Sequence, residues 1–525
     1  MADSTWQRAL RAVRADLTPL RRFRDYRLLV AAASISLFGS YITMVAAPLQ
    51  LKELTHSYVA VGLIGVAEFV PLMTFGLWGG AIADAFDRRR VVLVTEVIQL
   101  ACTAALIVNS MLDRPHAWVI YVVAAASAAA TATQRPSMDS LMPRILPHEH
   151  QSAASAIQGL QHNGAAIAGP ALGGLLAVWS LPVAYGIDGA TFVLSLLLFA
   201  RIRPVPPGEH AEPVSWRGIG EGLRYAAGRR DLLGTYLVDI VAMTFAMPQA
   251  LYPFLADQLH APHALGLLYT AGAVGGVLAT LTSGWTSRVH RHGLAIIGAA
   301  IGWGGGMALA GAAPNLWWVL GCFALAGAAD MISGIFRSTI WNQTIPDHLR
   351  GRLAGIELLS YTSGPTLGNA RAGLMARLGG VRFSIGVGGL ACVGGVVVVA
   401  ALMPRFARYD SRTDAHAVAE RQRRTGSGSG PVRAASDGRA PSQPGLEQAE
   451  RSVVQPVDDV FGVNLGRGRR ARGHMVGQAQ RVTRHDASSL RGCEPYRAFA
   501  KVFPRMTSWL CEMLPDSAAD TTSLT

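Results

Sequence analysis

The chain has 525 residues, 50% of them hydrophobic and only 15% charged, with a formal net charge of +13. With a mean hydropathy of +0.29, that profile excludes an ordinary soluble domain and points to a membrane protein. Clustered arginine on a soluble face would suit a nucleic-acid partner; here the arginines separate apolar runs, so no nucleic-acid partner is expected.

A helix needs about 20 apolar residues to cross a ~30 Å hydrocarbon core, and such runs recur along the chain. Residues 1–27 come first as a basic leader. Trp6, Leu10, Val13, Leu17 and Leu20 fall at helical spacing with Arg8, Arg11 and Arg14 on other faces, which suits an amphipathic helix in the headgroup layer. The leader lacks a short apolar core with a small-residue cleavage site, so the first run is read as a retained span. Six runs follow within 28–200, at 28–51, 59–83, 91–111, 118–132, 153–179 and 181–200. A Pro-rich, charged connection at 201–231 leads to six more within 232–403, at 232–256, 264–285, 294–312, 317–340, 353–378 and 383–403. The expected fold is therefore all-α and polytopic, with about twelve transmembrane helices. Residues 404–525 lack an apolar span and contain "TGSGSG" and "GRGRRARG", a composition expected to form a disordered basic tail.

Arginine distribution orients the spans. Arg27, Arg88 to Arg90, Arg144, Arg201, Arg230, Arg288, Arg291, Arg350 and Arg352 fall on one side, while the other carries Lys52, Arg114 and the exceptions Arg377 and Arg382. The positive-inside rule then predicts that both termini are cytoplasmic and the protein sits in the cell (inner) membrane. The five cysteines, Cys102, Cys322, Cys392, Cys493 and Cys511, show neither zinc nor disulfide spacing. No metal and no cofactor is expected.

The two sets of six runs share landmarks at a period of roughly 200 residues. "PHEHQSAASAIQ" from Pro147 aligns with "PDHLRGRLAGIE" from Pro346, and "GPALG" at Gly169 and Pro170 aligns with "GPTLG" at Gly364 and Pro365. Two repeated six-helix halves predict a transporter whose substrate site lies between them near the midplane.

Between the second and third runs stands "GGAIADAFDRRRVVL". The spacing of Gly80, Asp84, Asp87, Arg88 and Arg89 resembles the loop motif G-x-x-x-D-R-x-G-R-R of the major facilitator superfamily, with Ala85 and Asp87 departing from it. Together with "VAAPLQLKELTHSYVAVGL", "LGLLYTAGAVGGVLATLTSGW" and "IWNQTIPDHLRGRLAGIE", it is similar to the branch containing siderophore exporters and the third drug-proton antiporter group. The resemblance implies two six-helix halves, proton-driven export, and a loop motif that latches the cytoplasmic face. Asp84 and Arg88 stand four apart, as an ion pair on one helix face would. The branch often carries an acid in the first span; this chain has Gly39, Ser40 and Tyr41 there.

Charges inside a span cost ~2.5–3.5 kcal/mol each on insertion scales, so each needs a partner, water or a function. Glu68, Asp239 and Asp330, with Arg135 and Arg337, are the candidate proton or substrate contacts. Glu96, Asp188 and Glu357, nearer span ends, suit structural ion pairs equally well. No phosphate-binding loop or hydrolase motif occurs, so neither ATP use nor an enzyme is expected. The predicted function is export of an amphipathic small molecule, a siderophore or a range of drugs, by a monomer embedded in the lipid bilayer and exchanging its substrate for protons. Import by the same fold, or a transport-inactive sensor or assembly subunit, is compatible with the same residues.

Overall fold

The computed structural model describes residues 16–205, 224–225, 228–345 and 347–426. These fall in one compact unit, Met1–Gly428; the second unit, Ser429–Thr525, lies outside the described residues, as do most of the leader and of the connection.

Ten helical stretches among the described residues are long and apolar enough to cross a membrane. The last of them doubles back at Gly380, and Gln151–Trp179 has the length but a more polar face. Splitting the one and adding the other brings ten to twelve. They are α1 Arg24–Thr55, α2 Tyr58–Ala85, α3 Arg88–Met111, α4 Ala117–Ile145, α5 Gln151–Trp179 and α6 Leu181–Phe199 in the first half. In the second are α7 Arg230–Ala246, α8 Leu265–Leu281, α9 His292–Ala312, α10 Leu316–Thr344, and the two limbs of Asp347–Leu402, α11 (347–379) and α12 (381–402). The molecule is an all-α polytopic membrane protein of two six-helix halves.

Local chemistry sets the ends. Asp87 caps α3, accepting from the backbone N–H groups of Arg89 and Arg90 at 2.8 and 3.2 Å, and Ser57 and Asn315 cap α2 and α10 in the same way. Gly380, at φ 86°, turns α11 into α12 where a side chain would be strained. α4 runs well past the apolar stretch 118–132, through polar residues to Ile145. The seventh apolar run is not one helix: α7 ends before Pro248, which has no N–H to donate, and Gln249–Leu251 and Tyr252–Gln258 continue it. The loosened backbone is satisfied by neighbours, since Asn369 Oδ1 on α11 accepts from Ala250 N–H at 3.0 Å and Tyr269 on α8 donates to the Gln249 carbonyl at 3.0 Å. Helical, buried chain also continues beyond 403, through Pro404–Ala407 and Ala415–Gly426 with Phe406 fully buried.

Outward-facing surface is apolar, with Trp179, Trp317 and Leu378 about three-quarters exposed, as suits lipid. Lipid is as apolar as leucine, so helices associate by close packing rather than by the hydrophobic effect. Both halves use the same device. A Cβ on Gly169 (α5) would lie 2.5 Å from Tyr41 Cβ on α1, and one on Gly364 (α11) 2.4 Å from Met243 Cβ on α7. The two "GP" motifs hold equivalent helix pairs.

The halves meet through α2 with α11 and α5 with α8. A Cβ on Gly65 (α2) would lie 2.2 Å from the Thr366 carbonyl, and one on Gly266 (α8) 2.6 Å from those of Pro170 and Ala171. These contacts lie toward the end opposite the arginine-rich loops. Nearer the basic end, Gln158 and His162 on α5 are exposed.

Candidate functional site

In the second half, three of the predicted contacts converge. Arg337 on α10 forms an ion pair with Asp239 Oδ1 on α7, and its Nη2 lies 3.8 Å from Asp330 Oδ1 two turns earlier on its own helix. Asp239 Oδ2 also accepts from Ser360 Oγ on α11 at 3.3 Å. Asp239 is buried, whereas the Asp330 side chain is 39% exposed. The cluster thus has one fixed pair and one loosely held acid, and Arg337 Nε has no hydrogen-bond partner. Close by, Trp341 Nε1 donates to Thr235 Oγ1 at 3.0 Å, tying α10 to α7.

The remaining two candidates stand elsewhere. Glu68 on α2 is half-buried and has no ion pair or hydrogen bond with a described residue. Arg135 on α4 is exposed, and its charge acts on Tyr41 of α1, on Asp139 and on His162 of α5, whose ring meets that of Tyr41 edge-on at 6.5 Å. These residues belong to the first half. A groove of about 500 Å³ opens between α1, α5 and α6, lined by Ser34, Phe38, Leu160, Gln161, Gly164 and Thr191 among others.

Among the described residues Glu96 and Asp188 have no ion-pair partner. Glu96, on α3, accepts from Ser36 at 3.2 Å and Gln134 at 2.8 Å and contacts Ser195. Asp188, on α6, accepts from Thr43 and, at 3.1 Å, from Thr103. All of these partners are neutral. Conversely, among the described residues Arg371 on α11 bonds only the Ser384 carbonyl at 3.2 Å and the Met375 sulfur at 3.3 Å. The side chain of Glu357 lies outside the described residues.

The loop motif is built into the first half. Arg88 is buried and donates from Nε to Ser140 on α4 at 2.7 Å, while Arg89 donates to the carbonyls of Phe199, at 3.3 Å, and Ala200 at the C-terminus of α6. A cation is well placed against those terminal carbonyls. Asp87 serves as the α3 cap. Gly80 and Asp84 belong to α2, but their side chains lie outside the described residues, so the expected Asp84 to Arg88 pair lies outside them too. Just before α7, burial works to lower the pKa of Arg229, but the carboxylate of Asp231, with 2.9 Å between Arg229 Nε and Asp231 Oδ1, outweighs it and raises the value.

At the opposite end lies a contact between halves that no motif in the sequence announces. Lys52 at the end of α1 pairs with Asp257, donates to the Pro253 carbonyl at 3.2 Å and lies 5.9 Å from the centre of the Phe254 ring. Tyr58 on α2 meets Phe254 edge-on at 4.6 Å.

Comparison with known proteins agrees with this architecture. A family model described as a transmembrane secretion effector matches residues 14–436. The enterobactin exporter of Citrobacter koseri is 27% identical over 396 residues, covering 74% of this chain and 93% of that protein. That of Shigella dysenteriae serotype 1 is 27% identical over 366 residues, covering 68% and 86%. Among solved structures, the nucleoside transporter NupG superposes with a TM-score of 0.60 at 14% identity, over 73% of this chain and 99% of that one. A bacterial homologue of the iron transporter ferroportin in its inward-facing state gives 0.55 at 15% identity, over 73% and 98%. Such identities bear on the fold alone. Matched over most of its length and folded as two six-helix halves, the chain is a transporter rather than an enzyme and belongs to the transmembrane secretion effector family of the major facilitator superfamily.

Proposed function

We propose that this protein exports an amphipathic small molecule of the siderophore or hydrophobic-drug class by proton antiport, acting as a monomer through alternating access between its two halves. The observation that carries this reading is the Asp239, Arg337 and Asp330 cluster. Charges held within spanning helices are expensive and by default functional, and here the partly exposed Asp330 stands beside a cation already paired on its other side. An anionic or phenolic substrate group can take Asp330's place at Arg337. The relatives named as enterobactin exporters support the substrate class.

The arginine-rich end is taken as cytoplasmic, with both termini there. The helix contacts near Gly65 and Gly266 then close the outer end, and the structure corresponds to an inward-open state ready to load substrate from the cytoplasm. The loop at Gly80, Asp84, Asp87, Arg88 and Arg89 acts as the stiff cytoplasmic edge of the first half, which swings as one body. Protons supply enough energy: one charge falling through 100 mV yields ~2.3 kcal/mol, against ~1.4 kcal/mol for a tenfold gradient.

The test is uptake into everted membrane vesicles of iron-free enterobactin and, separately, of ethidium. The expected result is accumulation of at least one that collapses when a protonophore dissipates the gradient. Failure to accumulate either one with an imposed pH gradient overturns the reading.

A further inference from the structure

Glu96 and Asp188 take no part in the charged cluster of the second half, yet their surroundings repeat. Toward the basic end, Glu96 of α3 sits between Ser36 of α1 and Ser195 of α6, with Gln134 reaching in from α4. Toward the opposite end, Asp188 of α6 sits between Thr43 of α1 and Thr103 of α3. The members of the two layers are seven residues apart on all three helices, which keeps each on the same face and separates the layers by about 10 Å. Each layer holds one acid among hydroxyls, and the acid changes helix from one layer to the next.

Neither acid has a cation among its described partners, and both are almost completely buried, at 2% and 1% exposure. A lone carboxylate in such a place is costly, whereas a carboxyl group is cheap. Hydrogen counting points the same way. Ser195 Oγ contacts Glu96 Oε2 and also lies 3.0 Å from the Phe192 carbonyl, but it owns one hydrogen. Both contacts are satisfied together when Ser195 donates to Phe192 and a protonated Glu96 donates to Ser195. Asp188 Oδ1 is buried and has no hydrogen-bond partner. It faces the backbone of Gly39, where an added Cβ would be only 2.5 Å away, so no metal ion or ammonium group fits on that side. A proton does.

We propose that Glu96 and Asp188 form a proton-carrying ladder in the first half, each binding one proton from the outer side and releasing it to the cytoplasm once per transport cycle. This rests on the antiport reading above and adds to it a division of labour: the arginine-bearing cluster of the second half holds substrate, and the cation-free ladder of the first half carries the driving ion. In the chemical step water-borne H⁺ adds to a carboxylate oxygen, and on release the same O–H bond gives its proton back to water; no other bond changes. Gln134, half-buried beside the exposed Arg135, links the inner layer to the cytoplasmic side. The charged and titratable groups around the ladder are few. Among the described residues the neighbours are neutral hydroxyls and an amide, Ser36 and Thr43 from α1, Thr191 beside Asp188 on α6 and Gln134 from α4, with Arg135 next to it directed to Tyr41 and His162, and the two acids feel each other's charge. Tyr185, one turn from Asp188, donates to Gln50 at 2.8 Å and feels the charges of Glu53 and Asp188. Protonation reverses the hydrogen bond at Ser195 of α6 and weakens those that the two carboxylates accept from Ser36 and Thr43 of α1; α1 carries α5 against it through Gly169 and Gly173, so the ladder acts on a helix pair that joins the halves.

The test is infrared difference spectroscopy of the purified full-length protein in lipid nanodiscs, with pH-gradient-driven export measured on the same variants. Wild-type protein is expected to show the C=O stretch of protonated carboxyls at neutral pH, and Glu96→Gln and Asp188→Asn each to remove part of it. Each should also reduce gradient-driven export by about tenfold or more, a change of ~1.4 kcal/mol. The conservative exchange Glu96→Asp should move the band rather than abolish it, which separates loss of the carboxyl from misfolding. A band undiminished by either amide substitution overturns the ladder whatever transport shows. Wild-type export indifferent to the proton gradient overturns the antiport reading and with it the ladder's role in the cycle, while the band still reports whether the carboxyls are protonated.

Discussion

Arg337 and Asp239 are held together with little exposure, 12% and 4% of their side chains, and that makes them unequal to a surface pair. Removing one partner leaves the other charge buried alone, a loss of ~3–5 kcal/mol, whereas removing both is often nearly neutral. Asp239→Ala should therefore lower the thermal melting point in detergent more than the double exchange Asp239→Ala with Arg337→Ala does. Both variants should lose export. Equal melting points for the single and double variants would show that the pair is not the buried unit described above. These charges were legible in the sequence because a charge in an apolar run is conspicuous. Glu96 and Asp188 were equally conspicuous, but ion pairs were as good an expectation for them as any other. Their true partners are serines and threonines, which do not stand out in apolar runs; the available signal was the shared seven-residue spacing of 36 and 43, 96 and 103, and 188 and 195.

At the scale of helices, the twelve apolar runs were readable because lipid demands length and apolarity together. Their ends were less so. α4 continues through Gln134, Arg135 and Asp139 to Ile145, since helical hydrogen bonds persist wherever polar side chains reach water. The break at Pro248 lay hidden inside one apolar stretch, because hydropathy does not register a missing N–H. The paired "GP" motifs were visible, and the structure gives their reason, a helix approach too close for any side chain. The same reasoning applies between the halves. At Gly266, where a Cβ would stand 2.6 Å from two carbonyl oxygens of α5, Gly266→Leu should force α5 and α8 apart, at a cost of ~1–3 kcal/mol for overpacking. Cysteines placed across that contact should then cross-link more slowly than in the parent protein. An unchanged rate would mean that these helices do not rely on close backbone approach to stay together.

For the whole molecule, the equilibrium between the state open at the basic end and its reverse depends on what must be broken at the opposite end. Packing across α2 with α11 and α5 with α8 supplies shape, while Lys52 supplies the only described cation that bridges the halves there, through Asp257, the Pro253 carbonyl and the Phe254 ring. Asp257 is 52% exposed, although Lys52 is only 14% exposed, so the half-solvated ion pair is worth ~0.2–1 kcal/mol, and a cation over an aromatic ring adds ~0.5–1 kcal/mol. Together these approach the ~1.4 kcal/mol that changes a two-state ratio tenfold. They are enough to set the resting state and too little to prevent turnover. Lys52→Ala should raise the population open at that end severalfold, and Lys52→Glu should raise it further, because Glu would face Asp257. Exchanging the pair, Lys52→Asp with Asp257→Lys, should restore the original balance. Spin labels on the loops flanking α1 and Tyr252–Gln258 would report the distances, with salt narrowing the differences between variants because the pair is solvent-accessible. If Lys52→Glu left the distance distribution unchanged, the contact would be a consequence of closure at that end rather than one of its causes.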